Sequence, residues 1–133
     1  MTSRNTVTPN TPEQYGLAAI GKAGQFTVEV LETSAASYLM AIEAGSWSLS
    51  FALSSEDDLK KILTHLRGNC KSSKLSAGLF LGAPVILIKD DEFSERYFLG
   101  ASKDGHVLDV VLAADGLAQF TDAVAQALDD LSN

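Results

Sequence analysis

The sequence predicts an α+β fold: two similar antiparallel β-meander-plus-helix repeats, up to four strands then a helix, twice, packed around one core with pseudo-twofold symmetry. Three observations carry that expectation. Short stretches alternate apolar and polar residues between Gly, Asp and Ser turn signals, two segments carry a helical apolar stripe, and the chain aligns with itself. At 133 residues it has the size of one domain. The expected organisation is a flexible leader over 1–14, then a single domain over 15–131 made of repeat 15–69 and repeat 77–131.

The leader is assigned because Pro9, Pro12 and a high Thr and Asn content offer no apolar period. Residues 17–20 read as a short strand, with Gly21 and Gly24 as turn or bulge positions. Phe26, Val28 and Val30 alternate with Thr27 and Glu29 as the next strand, and residues 32–37 form a polar turn. A strand over 38–42 leads to a tight turn in which Gly45 is expected to supply positive φ. Trp47, Leu49, Phe51 and Leu53 then share one face, with Ser48, Ser50 and Ala52 on the other, so burial fixes the register.

The first helix is signalled by Ser54 and Ser55 ahead of Glu56, Asp57 and Asp58, hydroxyl caps followed by carboxylates on the positive end of the dipole. Leu59, Ile62, Leu63 and Leu66 make its stripe, and Gly68 and Asn69 end it. Residues 70–76 read as a basic, Ser-rich connector. Residues 78–82 form a short strand, Pro84 confines the next strand to an edge or a start, and 85–88 read as a strand buried on both faces. An acidic turn over 89–95 precedes a strand over 97–101. The Asp104-Gly105 pair signals a hairpin, and a strand over 107–112 returns. Asp115 is expected to cap a last helix striped by Leu117, Phe120, Val124, Leu128 and Leu131.

The internal match sets Tyr38 on Tyr97, Leu39 on Phe98, Met40 on Leu99, Leu49 on Leu108, Phe51 on Val110 and Leu53 on Leu112. One sheet with one helix has too little core to stand alone, so the halves are expected to bury their apolar faces together. The sheets would pack or cross, with the helices covering an opening between them.

Composition narrows the function. The net charge of −7 disfavours non-specific adhesion to nucleic acid or anionic lipid. That charge resides in the last third: residues 89–133 hold ten acids against Lys89, Arg96 and Lys103. No run approaches a membrane span and residues 1–12 lack a secretory core, so a cytoplasmic protein with no membrane partner is expected. Cys70 is the only cysteine, which excludes an intramolecular disulfide and a thiolate zinc site.

Tandem units of up to four antiparallel strands followed by a helix resemble the Whirly and PUR-type single-stranded-nucleic-acid-binding proteins. Gly21, Lys22 and Ala23, followed by Thr27, Val28 and Glu29, are similar to the Lys-Gly-Lys-Ala-Ala-Leu-Ser segment and the strand after it in Whirly proteins. Ile20 stands where that family has its first Lys, and Gly24-Gln25 where it has Ala-Leu. An acidic chain of this length with a central helix and a final acidic helix is also similar to the small type III secretion chaperones, which normally open with a helix that residues 1–20 do not offer.

Candidate chemistry is sparse. His65 in the last turn of the first helix reads as a partly charged imidazole suited to the dipole, and His106 as a strand entry. Asp90, Asp91, Glu92 and Glu95 read as a solvated turn, lacking calcium-loop spacing. No catalytic residue, metal site or cofactor is assigned, and the chain is expected not to be an enzyme. The leading expectation is a non-enzymatic small acidic interaction module that binds a protein partner or itself, for instance as a dimer, with Tyr38, Ser48, Ser50 and Tyr97 on the interaction surface. The alternative is single-stranded DNA or RNA binding through Lys22, Lys60, Lys61, Arg67, Lys71 and Lys74, with Trp47, Phe51, Tyr38, Tyr97 and Phe98 weighed as stacking platforms. The other is a type III secretion chaperone-like role.

Overall fold

Alternation along the chain becomes eight strands, and the two stripes become two helices, in a computed structural model that describes residues 15–33, 37–68, 73–92 and 96–133, with His106 described by its backbone alone. In order these are β1 (Gly16–Ala23), β2 (Phe26–Glu32), β3 (Tyr38–Glu43), β4 (Ser48–Leu53), α1 (Glu56–Leu66), β5 (Lys74–Phe80), β6 (Ala83–Lys89), β7 (Arg96–Lys103), β8 (His106–Ala113) and α2 (Ala114–Ser132). The strands form one antiparallel sheet in sequence order, each paired with the next. Leader 1–14, Asn69, Cys70, Lys71 and Glu95 lie outside the described residues.

One sheet replaces the two packed or crossed sheets expected from the sequence. β4 and β5 join the halves through the single pair Ala52↔Leu79. Gly78 permits that joint, because a Cβ there would sit 2.4 Å from the Ala52 carbonyl oxygen and 2.6 Å from the Phe51 ring. Both helices cover the same face. They touch each other, and their buried residues join one cluster with the alternate strand residues Val28, Val30, Met40, Ile42, Phe51, Val85, Leu87, Leu99 and Leu112.

Several local expectations change with this arrangement. Residues 85–88 are not buried on both faces: Val85 and Leu87 enter the core, while Ile86 is half-buried and Ile88 exposed, because no helix lies on their side. β5 begins at Lys74, inside the expected connector, and Leu81 and Gly82 leave the strand to make a two-residue turn with both φ positive. Gly45 is not among the positive-φ glycines. The loop there closes instead through the Ala44 N–H donating to the Trp47 carbonyl at 2.8 Å. Pro84 enters β6 before β7 is reached, since β7 pairs only with residues 86–89, so no β7 carbonyl misses its donor.

α1 forms as its stripe and cap require. The Ser55 hydroxyl accepts from the Asp57 N–H at 3.2 Å, and the Asp58 carboxylate accepts from the Ser54 N–H and hydroxyl, both at 2.7 Å. α2 starts differently: Ala113 is its N-cap with no side-chain hydrogen bond, and Asp115 lies in the first turn rather than capping it. The helix then runs antiparallel along β1. Gly21 makes that contact so close that a Cβ would lie 2.0 Å from the Ala123 carbonyl oxygen.

The strand registers of the two halves correspond. Tyr38↔Leu53, Met40↔Phe51 and Ile42↔Leu49 in the β3–β4 pair have their counterparts in Tyr97↔Leu112, Leu99↔Val110 and Ala101↔Leu108 in β7–β8. Each half also has a bulge in its first strand, between Leu17 and Ala19 and between Ser76 and Gly78.

Candidate interaction surface

The face of the sheet turned away from the helices is built by the other half of each alternation. Pairing places Leu17, Leu31, Leu39, Ala52, Leu79 and Pro84 side by side, one from each of β1 to β6. This apolar row crosses six strands. A second row joins Ile88, Phe98 and Val111 of β6, β7 and β8. Leu17 is 57% exposed, Leu79 49% and Val111 59%. Apolar residues scattered singly on a surface need no explanation, whereas these lie in contiguous rows.

Around the apolar rows the same face is polar. Thr27, Glu29, Ala41, Glu43, Ser48 and Ser50 line an open depression of about 390 Å³ near the β3–β4 loop. Ser48 and Ser50 are thus exposed here as expected. Tyr97 is not: it lies on the helix side and is 1% exposed, because residue 97 shares its face with Leu99 and Ala101. Tyr38 is half-buried on the same side, packed against the core, and its hydroxyl hydrogen-bonds the Glu32 carboxylate, which raises its pKa above the usual tyrosine value.

The aromatics weighed as stacking platforms are mostly inside, as the apolar face that Trp47 and Phe51 share with Leu49 and Leu53 implies. Phe51 is buried, and Trp47 packs edge-on against Phe26, with ring centroids 6.1 Å apart. Phe98 alone of that set faces the open side, with the Arg96 guanidinium 5.6 Å from its ring centroid. The cations are divided as well. Lys60 and Lys61 are exposed on α1 and Arg67 at its C-cap, in the helix layer, and Lys60 pairs with Asp57 at 3.7 Å. Lys22 and Lys74 belong to the sheet, on β1 and β5. Lys71 lies outside the described residues.

His65 departs most from its expected role. Instead of capping the dipole as a charged group it is 1% exposed, since its position follows Ile62 by one helical turn into the core. Its ring packs edge-on to Tyr97, centroids 5.6 Å apart. Neither ring nitrogen makes a hydrogen bond of good geometry, although the backbone of Ser73 and Leu87 is near. Burial therefore dominates and pushes its pKa below the usual histidine value, with Lys89 adding to the shift. The lowered pKa favours the neutral imidazole, packed in the core.

The acidic turn is organised by Asp90. Its carboxylate accepts from the Glu92 N–H at 2.8 Å and holds the Arg96 guanidinium. Among the described residues no three His, Cys, Asp or Glu side chains converge as metal ligands, and no helix is long and apolar enough to cross a membrane. The apolar row was the feature missed in the sequence. Its signal was there, in Leu31 and Leu39 standing opposite the core parity of their strands, but its continuity appears only once the β4–β5 pair is known. Compared with known protein families, curated proteins and solved structures, the chain has no match.

Proposed function

We propose that the protein is a non-enzymatic interaction module that binds a protein partner, or a second copy of itself, through the helix-free side of its sheet. The observation that carries this reading is the apolar row from Leu17 to Pro84, continued near the far edge by Ile88, Phe98 and Val111. A sheet with one face under helices needs only that face for its core, so apolar residues kept in register on the other face answer to a partner. The corresponding registers and bulges of the two halves support, as part of the same reading, a duplicated β-meander-plus-helix unit with pseudo-twofold symmetry.

Single-stranded nucleic acid has less in its favour. Binding of that kind combines a basic track with exposed aromatics, and here the cations are divided between helix layer and sheet while Phe51 and Tyr97 are in the core. Fluorescence anisotropy with labelled oligonucleotides at low salt is expected to show no binding.

The direct test places a photo-cross-linking amino acid at Leu39 or Leu79, and at Lys61 on α1 as the control. Cross-links to a polypeptide from the two sheet positions and not from Lys61 are expected. Equal yields from all three, or none from the sheet positions, defeat the reading.

A further inference from the structure

An eight-stranded sheet that does not close has two outer edges, and this molecule treats them differently. Along the second half of β1, two backbone donors that point away from β2 are taken up by α2. The Ile20 N–H donates to the Asp130 carboxylate at 3.0 Å, the Lys22 N–H to the Gln126 side-chain oxygen at 3.1 Å, and the Gln25 N–H in the turn to the Gln119 side-chain oxygen at 3.3 Å. Positions 119, 126 and 130 recur on one side of the helix, and Gly21 lets that side come close enough.

At the other end of the sheet β8 pairs only with β7. The Asp104-Gly105 turn closes on the pair Lys103↔His106, so alternate residues from His106 bond to β7, while Val107, Asp109 and Val111 direct their N–H and C=O outward. Among the described residues no element pairs with that edge, and it carries Val107 at 72% exposure and Val111 at 59%. Open edges of this kind are templates for another strand.

We propose that β8 pairs antiparallel with β8 of a second copy of this chain, joining two eight-stranded sheets into one. This rests on the reading of the protein as an interaction module and names its occupant. Three features favour a second copy. Strand pairing of β8 with β1 of another molecule would propagate without limit, and the α2 acceptors on β1 block it, leaving β8 with itself as the association that closes. A twofold axis at Val110 sets Asp109 opposite Val111 of the partner and Val107 opposite Ala113, so no like charges oppose, whereas an axis at Asp109 would set two carboxylates face to face. The same axis brings the patches formed by half-buried Phe98 and exposed Val111 of the two copies next to each other, making one apolar strip from two.

The test is sedimentation of the full chain up to about 1 mM, with amide hydrogen exchange at low and high concentration. A monomer–dimer equilibrium is expected, with the Val107, Asp109 and Val111 amides slowing about tenfold or more as dimer forms. Val111→Pro removes an outward donor without touching the β7 ladder, and is expected to weaken dimerisation about tenfold or more while circular dichroism stays native. Val111→Asp, which sets a carboxylate opposite Asp109 of the partner copy, serves the same purpose should the proline variant not fold. A chain that stays monomeric, or a dimer whose β8 amides exchange as in the monomer, overturns the pairing. A dimer that survives both Val111 variants but is lost on Leu31→Asp with Leu79→Asp overturns it too, and leaves the broader reading standing on the open face.

Discussion

The two helices follow meanders of matching register yet are fastened by opposite means. α1 is secured at its ends: Ser54, Ser55 and Asp58 settle its first turn, and at the other end the His65 carbonyl accepts both the Gly68 N–H at 3.0 Å and the Tyr97 hydroxyl at 2.6 Å. α2 has no side-chain hydrogen bond at its N-cap and is secured along its length, by backbone contact over Gly21 and by three side-chain acceptors, two on β1 and one on the turn after it. The difference follows from location. α1 crosses the region where β4 meets β5 and has no open edge to cover, whereas α2 lies beside an edge strand whose donors would otherwise face water or another chain.

Breaking the α2 attachment at its tightest point should have the largest effect. In Gly21→Val the new side chain meets the Ala123 carbonyl and the Ala127 amide, both helix backbone, so the whole helix must lift. A loss of about 3 kcal/mol is expected, read as a lower denaturant midpoint. A variant as stable as the parent would mean that α2 does not seat on β1.

The α1 side breaks at its C-terminal end. Tyr97→Phe removes a buried donor from the His65 carbonyl and should cost about 1.5 kcal/mol. The same pocket sets an acid dependence. Because the folded pKa of His65 lies below its ordinary value of 6.5, the unfolded chain takes up the proton first. The contribution of neutral His65 is complete above about pH 6.5 and is lost as pH falls toward and through the lowered folded value. His65→Leu should flatten that part of the stability–pH curve and change stability at neutral pH by within about 1 kcal/mol, since the ring nitrogens have no good partner to lose. An unchanged slope would assign the acid sensitivity to other groups. At the opposite end, Ser55→Ala should cost about 1 kcal/mol.

How far these features were legible depended on whether their cause was local. α1 was readable because stripe and cap lie within one short stretch, and the Asp104-Gly105 hairpin because the turn conformation is set by its own two residues. His65 was misread although Ile62 stands one turn before it: residue type was weighed over position. The single sheet and its open apolar face were not readable, since both follow from one pair, Ala52↔Leu79, across a connector with no pattern of its own. The close seat of α2 was hidden for the same reason, with Gly21 and Ala123 about a hundred residues apart and each ordinary in its local context. A turn glycine was the sensible reading of Gly21, and the helix laid over it is what changes its meaning.

The smallest energetic effect carries the sharpest test of the comparison. Gln126→Ala and Asp130→Ala each remove one acceptor from an exposed backbone donor, so about 0.5 to 1 kcal/mol apiece is expected, while the Ile20 and Lys22 amides should exchange markedly faster. The larger consequence lies in association. With both acceptors gone the donors of β1 are free to meet β8 of another molecule, and head-to-tail pairing has no closing step. Light scattering is expected to show a mass that keeps growing with concentration beyond the dimer in the double variant and stops at the dimer in the parent. If the double variant stays as small as the parent, the side chains of α2 do not guard that edge, and Gly21 alone accounts for the position of the helix.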